Sequence, residues 1–470
     1  MVQASARLLR CPPCASMSLG WQFSQLQASC LRCSVPLARR RLPTLRSSSG
    51  WAAYDRWLLE VKNTARARPE AAVRCAVKEA VPILEDVDLL THEMQAFAVP
   101  TGSATQHTVA SSCLEICYPL STNRNVQRMV GDHSSWNTFR YGKFLEAVDA
   151  LTGDVAYRHA GANANLKIVT GGHYQARKLR STDITKDVNI RSYITSIGRS
   201  SMEVRSDALQ TGDDGQEQLV NVCHTIMVAL DSATTRPARL PPLLTDVADA
   251  SGEARRADLA RLHGRRRQER RASSLWLREK SMPPTSEEMQ KIHALHQRRL
   301  AALDDPLRDA QDTFALVQDH GHMLSQCIYD EGRNCHGNVF GGYIAREGFG
   351  LAYYAARRFL QDIPVTLGMD EAIFSKSISV GDMVRFAAYV VHVAGPLVRV
   401  TVLVDVLNEN DKDGGAQRTN RLSFVFMAPE ERRLQEVIPM SYSEILMHID
   451  ANRCYLSDGP STEFLDAVRE

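Results

Sequence analysis

Two parts of this chain carry residues that could do chemistry together: Asp149, and the run Asn334-Cys-His-Gly-Asn-Val-Phe-Gly-Gly-Tyr-Ile-Ala-Arg-Glu-Gly-Phe349. In the run, a polar turn at Gly337-Asn338 leads straight into Gly341-Gly342 and then a helix whose first turns are small. Such an element offers backbone N–H groups and one side-chain amide to a ligand that comes close. Asp149 borders an apolar helical stripe made by Phe144, Leu145, Val148, Leu151, Thr152 and Val155, where a carboxylate is partly desolvated but reachable. A carboxylate to activate water, an amide to orient it, and N–H donors for a developing oxyanion make up the set needed for water to attack an acyl carbon.

Each residue also has a plainer reading. By type alone, Asp149 is a solvated or capping residue, Asn338 a turn-former, and Gly341-Gly342 a close-packing step. His336 lies close enough to the turn to touch a substrate, but is first a loop histidine. The familiar nucleophile-elbow, zinc-protease, P-loop and dinucleotide motifs are absent, since His92-Glu93 lacks its partner histidine and Gly142-Lys143 is followed by Phe.

An internal repeat raises Asp149 above the plain reading. The sequence predicts a strand over His107–Leu120, a polar turn at 131–136, a helix from about Tyr141, and strands over His173–Leu179, Val188–Ile197, Met202–Leu209 and Leu219–Leu230. The pattern returns with strands over His322–Tyr329, near Glu371–Ser377, and over Met383–Val393, Val398–Leu407 and Arg418–Met427, around a helix over Tyr343–Phe359. Gly142-Lys-Phe-Leu aligns with Gly342-Tyr-Ile-Ala at an offset of 200 residues, and Ile184–Asp187 with Ile378–Asp382 at an offset that ends at 195. A repeat this long means two similar domains, not a solenoid. Gly161 and Gly171-Gly172 read as the exit from the first helix.

The chain has 470 residues, 44% of them hydrophobic and 23% charged, with a net charge of only +2, which suits a globular protein of more than one core and not a general polyanion binder. No uncharged apolar run is long enough to serve as a transmembrane segment. The 11 cysteines are scattered and odd in number, which suggests reduced thiols inside a cell. Residues 1–54 contain no Asp or Glu but hold Arg7, Arg10, Arg32, Arg39, Arg40, Arg41 and Arg46, the composition of an organelle transit peptide. Cys11-x-x-Cys14 and Cys30-x-x-Cys33 have a zinc-ribbon spacing, against which stand the Pro-Pro in the first knuckle and the lack of strands between the pairs. No metal and no cofactor is expected. Residues 51–100 read as irregular helical pieces. Residues 236–310 form a helical, Arg-rich linker with a capping box at Thr285-x-x-Glu288; interleaved acids and the lack of aromatics favour a solvated helix, so no nucleic acid is expected as a partner.

A long helix wrapped by a curved antiparallel sheet, entered through Gly337-Asn338-Val339-Phe340-Gly341-Gly342 and followed by Arg346, resembles the hotdog fold of acyl-CoA thioesterases. The tandem copies, Leu240-Pro-Pro-Leu243, the Arg-rich helix and the presequence resemble the thioesterase 9-like mitochondrial double-hotdog family. Leu145–Tyr157 carries the next most specific part of the likeness, which covers roughly 80–440. The resemblance implies an α+β fold of two tandem hotdog domains (80–235 and 311–440) joined by the linker, with a C-terminal tail at 441–470. It further implies acyl-CoA as substrate, a homo-oligomer of double-hotdog units, and location in the mitochondrial matrix. Each composite site would take a turn residue from one domain and a helix carboxylate from the other. Asn338 and Asp149 complete one such site, while Thr138 and Phe349, at the matching positions, leave the other without equipment. A slip of one residue in the alignment would place Asn137 at the turn. Asp149 would then act as base or as nucleophile, with Asn338, Gly341 and Gly342 positioning substrate, and His336 and Arg346 as possible substrate contacts. The competing functions are an acyl-CoA sensor without turnover and a structural organellar protein that contacts RNA.

Overall fold

The computed structural model describes residues 107–457 apart from 108, 133–137, 162–164, 244–283, 304–313, 408–414 and 430–432. The expected transit peptide, the cysteine pairs at 11–33, the pieces expected at 51–100, Asn137 and the Arg-rich segment lie outside these residues. The first half runs β1 (Leu114–Tyr118), α1 (Arg124–Val130), α2 (Tyr141–Ala160), β2 (Leu166–Lys178), β3 (Val188–Ile197), β4 (Ser201–Thr211) and β5 (Glu217–Asp231). After α3 (Ser286–Leu303) come β6 (Gly321–Cys327), α4 (Gly341–Leu360), β7 (Val365–Phe374), β8 (Met383–Ala394), β9 (Leu397–Leu407), β10 (Ala416–Met427) and α5 (Tyr442–Ser457).

All ten strands join one antiparallel sheet in the order β1-β3-β4-β5-β2-β7-β10-β9-β8-β6. Read outward from the β2–β7 seam, each half repeats the other's order, so the chain is α+β with an internal mirror in its topology. The helices α2 and α4 start 200 residues apart, at Tyr141 and Gly341, matching the sequence offset.

The helix α2 packs on β2–β5 and α4 on β6–β10, and the two helices pack on each other. Phe144, Leu145, Val148, Leu151 and Val155, all at most 1% exposed, face this core; full burial of each such side chain is worth about 1.5–3 kcal/mol. At the helix crossing, a Cβ on Gly342 would stand 2.9 Å from Glu146 Cα and 3.0 Å from Glu146 O, so only glycine allows this approach.

Three expectations change. The stretch from His107 is not all strand: Val109–Ser112 forms a single helical turn, and β1 starts only at Leu114. Gly171-Gly172 lies inside β2, at a bulge, and not at the helix exit. Residues 442–457 form α5, which Arg421–Asp450 ties to β10 and Arg453–Glu288 ties to α3. The capping box is present, with Thr285 N–H donating to Glu288 Oε2 at 2.8 Å and Glu288 N–H to Thr285 Oγ1 at 3.2 Å.

Candidate active site

The turn before α4 is built by Asn334. Its Oδ1 accepts from the His336 and Asn338 N–H groups at 2.9 and 3.1 Å, while its own N–H donates to Asn338 O at 2.7 Å. This Asx turn, closed by Gly337 at φ 83°, delivers Asn338, Val339 and Phe340 to the start of the helix. The first-turn N–H groups of α4 have no partner within the helix. One of them, Gly342 N–H, donates to Asp149 Oδ2 at 2.5 Å. That donor was expected at a substrate oxygen; it turns instead to the nearest anion. Gly341 N–H has no acceptor among the described residues and remains available.

Asp149 is 1% exposed, and its other oxygen is held as well. Thr170 Oγ1 donates to Oδ1 at 2.7 Å, and His173 Nε2 stands 3.3 Å from the same oxygen without the alignment of a hydrogen bond. A Cβ on Gly341 would meet Asp149 Oδ2 at 2.9 Å, which measures how tightly the turn closes on the carboxylate.

A cavity of about 370 Å³ opens at this point. Its lining includes Asp149, Thr170, His336, Asn338 and Gly341, with Phe374 beside them. Lys167 and Lys376 line it too and add positive charge. A cavity of about 440 Å³ lies elsewhere, between α3, α5 and β8, but its carboxylates, Glu288 and Glu436, are spent on Arg453 and Arg298.

His336 lies in the cavity lining and Arg346 does not. His336 Nε2 lies 2.7 Å from the Tyr157 hydroxyl and 3.1 Å from Ile168 O, so it bridges the turn to α2 and β2 while lining the cavity. Burial lowers its pKa, the Ile168 carbonyl works against that, and Lys167 adds to the lowering. Arg346 is not part of the cavity lining. One helical turn beyond Gly342, it reaches across the helix pair to Glu146, contacts Glu347 at 3.0 Å, and lies 4.8 Å over the Tyr343 ring.

At the mirror position, no carboxylate among the described residues is hydrogen-bonded to the start of the helix. Phe349 packs against Tyr141, Tyr353, Phe424 and Phe426, and a Cβ on Gly142 would meet its ring at 3.3 Å. Thr138 is buried and hydrogen-bonded to Thr182. Aromatic rings pack here at the helix position that Asp149 holds in the other half.

Sequence reasoning did not find Thr170 or His173. Three residues apart, they would lie on opposite faces of a regular strand. A bulge between Thr170 and Gly172 sets two residues of β2 against one of β5 and returns both to the face that meets Asp149. The Thr-Gly-Gly-His spelling was the only local hint.

No family model matches this chain. Curated relatives include acyl-coenzyme A thioesterase 10, mitochondrial, of Mus musculus, 25% identical over 74% of this chain and 78% of the relative. Acyl-coenzyme A thioesterase 2, chloroplastic, of Humulus lupulus is 26% identical over 76% of this chain and 84% of the relative. Acyl-coenzyme A thioesterase 9, mitochondrial, of Homo sapiens is 25% identical over 75% of this chain and 79% of the relative. Among solved structures, an acyl-ACP thioesterase from Bacteroides thetaiotaomicron is 10% identical with a TM-score of 0.40, covering 68% of this chain and 99% of that one, too distant to bear on the site.

Proposed function

We propose that this chain, which is similar to mitochondrial acyl-CoA thioesterases over about three quarters of its length, hydrolyses fatty acyl-CoA to free fatty acid and CoA. The halves act as tandem hotdog domains, and one composite site lies between them. The observation that carries this reading is the meeting of Asp149, from α2 of the first half, with Asn338 and Gly341, from the turn of the second, in one cavity.

The reaction adds water across the acyl carbon and releases a thiol. Gly341 N–H and the Asn338 amide hold the carbonyl oxygen or the water, where fixed donors act without reorganising. With Asp149 as base, the carboxylate takes a proton from water as its oxygen bonds to the acyl carbon; the C–S bond then breaks and the proton passes to the leaving sulfur. With Asp149 as nucleophile, its oxygen bonds to the acyl carbon and the C–S bond breaks, giving an acyl-carboxylate anhydride and a thiolate; water then opens the anhydride, restoring the carboxylate and supplying the proton that the thiolate takes up. A single turnover in ¹⁸O-water separates the routes, because attack of water on the side-chain carbonyl of an anhydride leaves label in Asp149. Lys167 and Lys376 at the cavity suit the phosphates of CoA.

Thiol release from a panel of acyl-CoAs tests the function; no turnover with any chain length would overturn it. The chain assembles as a homo-oligomer through exposed apolar surface such as Met323 and Leu324 on the edge strand β6, which sedimentation of the purified protein would detect. Residues 1–54 direct it to the mitochondrial matrix, which imaging of the tagged full chain checks.

A further inference from the structure

His173 is fully buried on β2, and each side of its ring is occupied. From α2, Asp149 Oδ1 lies 3.3 Å from Nε2. From β5, Thr225 Oγ1 lies 2.9 Å from Nδ1, and Cys223 borders the ring with Tyr141 of α2 beyond it. From β7, Phe374 meets it edge-on with ring centroids 5.6 Å apart.

Charge decides what this packing means. Asp149 is 1% exposed, and an isolated carboxylate at such a place is costly unless paired. The cations nearest along the helix pair, Lys143 and Arg346, are committed to Glu146. Lys167 and Lys376 line the same cavity, but neither forms an ion pair with Asp149 among the described residues, and His173 is the basic side chain that touches it.

We propose that His173 is a positioning residue for Asp149: a buried imidazolium that supplies the carboxylate's counter-charge and, with Thr170, fixes its Oδ1. This rests on Asp149 being the reacting carboxylate, as proposed above. Burial opposes the charge on His173, but Asp149 and Cys223 outweigh it and raise its pKa to about 10. Here a histidine orients the acid, the reverse of a nucleophile triad, in which the acid orients the histidine. A positive charge beside a carboxylate favours the form that takes a proton from water.

Histidine side-chain NMR on the full-length wild type gives the first test. One imidazole with both nitrogens protonated at pH 8 is expected, and its signal should vanish in Asp149→Asn; absence of such a signal in wild type overturns the proposal. His173→Gln keeps an N–H donor without the charge. Its acid limb in kcat/KM should move up by about one pH unit, with a fall in kcat of about tenfold, while the neutral-pH KM changes little. An unmoved limb with only a lower Tm would make His173 a packing residue and overturn the proposal. If His173→Gln does not fold, the wild-type NMR result decides alone. If the wild type turns over no acyl-CoA, the reading of the site fails, while the NMR result still upholds or overturns the ion pair.

Discussion

Gly342 N–H donates to Asp149 Oδ2 at 2.5 Å, across 193 residues of chain. This bond joins the first turn of α4 to the middle of α2, so the carboxylate is aimed by backbone as well as by the side chains of Thr170 and His173. Removing its charge tests the site most directly. Asp149→Asn keeps shape but cannot take a proton, and kcat/KM for acyl-CoA should fall by about 10²–10⁴-fold, measured by thiol release. Wild-type rates in this variant would remove Asp149 from the chemistry.

Two adjacent glycines should fail in different ways. In Gly341→Ala the new methyl meets Asp149 Oδ2, a side-chain atom that can shift, so kcat should drop at least about tenfold with little change in Tm. In Gly342→Ala the methyl meets the backbone of Glu146, and the cost falls on stability instead, about 1–3 kcal/mol. Chemical denaturation beside kinetics on the two proteins separates these effects.

Phe349 occupies the place in α4 that Asp149 holds in α2, and it works as packing. Phe349→Ala should cost less than the about 3–5 kcal/mol of a fully buried phenylalanine, because Phe349 is partly buried and the surrounding aromatic rings can collapse into the space. Activity per folded molecule, measured after removing aggregate, should stay within about twofold of wild type. A collapse of kcat in a fully folded variant would mean that Phe349 does more than pack.

A pH effect is expected far from the site. His392 and His448 stack edge-on, with centroids 5.0 Å apart, beside the cavity under α3 and α5. Burial, and then the charge of His448, lowers the pKa of His392 to about 3. The unfolded chain takes up this proton near pH 6.5, but the folded one only near pH 3, so the contribution is present above about 6.5 and is lost as pH falls towards 3. Tm should therefore fall over this window, and less steeply in His392→Gln.

Much of the frame was legible from local pattern. The 200-residue offset between glycines in the sequence reappears as the offset between helix starts, because a Gly at each crossing is a local requirement with a fixed place in its repeat. Most strands follow from their apolar runs, but β2 begins at Leu166 and β7 at Val365, ahead of the runs expected from His173 and near Glu371. What the residues near Asp149 do was less legible, since it depends on partners far away in the chain. Arg346 lies only a helical turn past the glycines, but it turns to Glu146, and Thr170 and His173 share a face only through a bulge. The helix α5 was missed because its buried side rests on contacts such as Arg421–Asp450, which no window of sequence displays.

The β2–β7 seam has a consequence for concentration. Gly368–Ile373 of one half pair with Gly172–Arg177 of the other on a single covalent chain. Each half therefore meets its complement at an effective concentration set by the connection between them and not by the amount of protein in solution. Specific activity should hold constant on serial dilution.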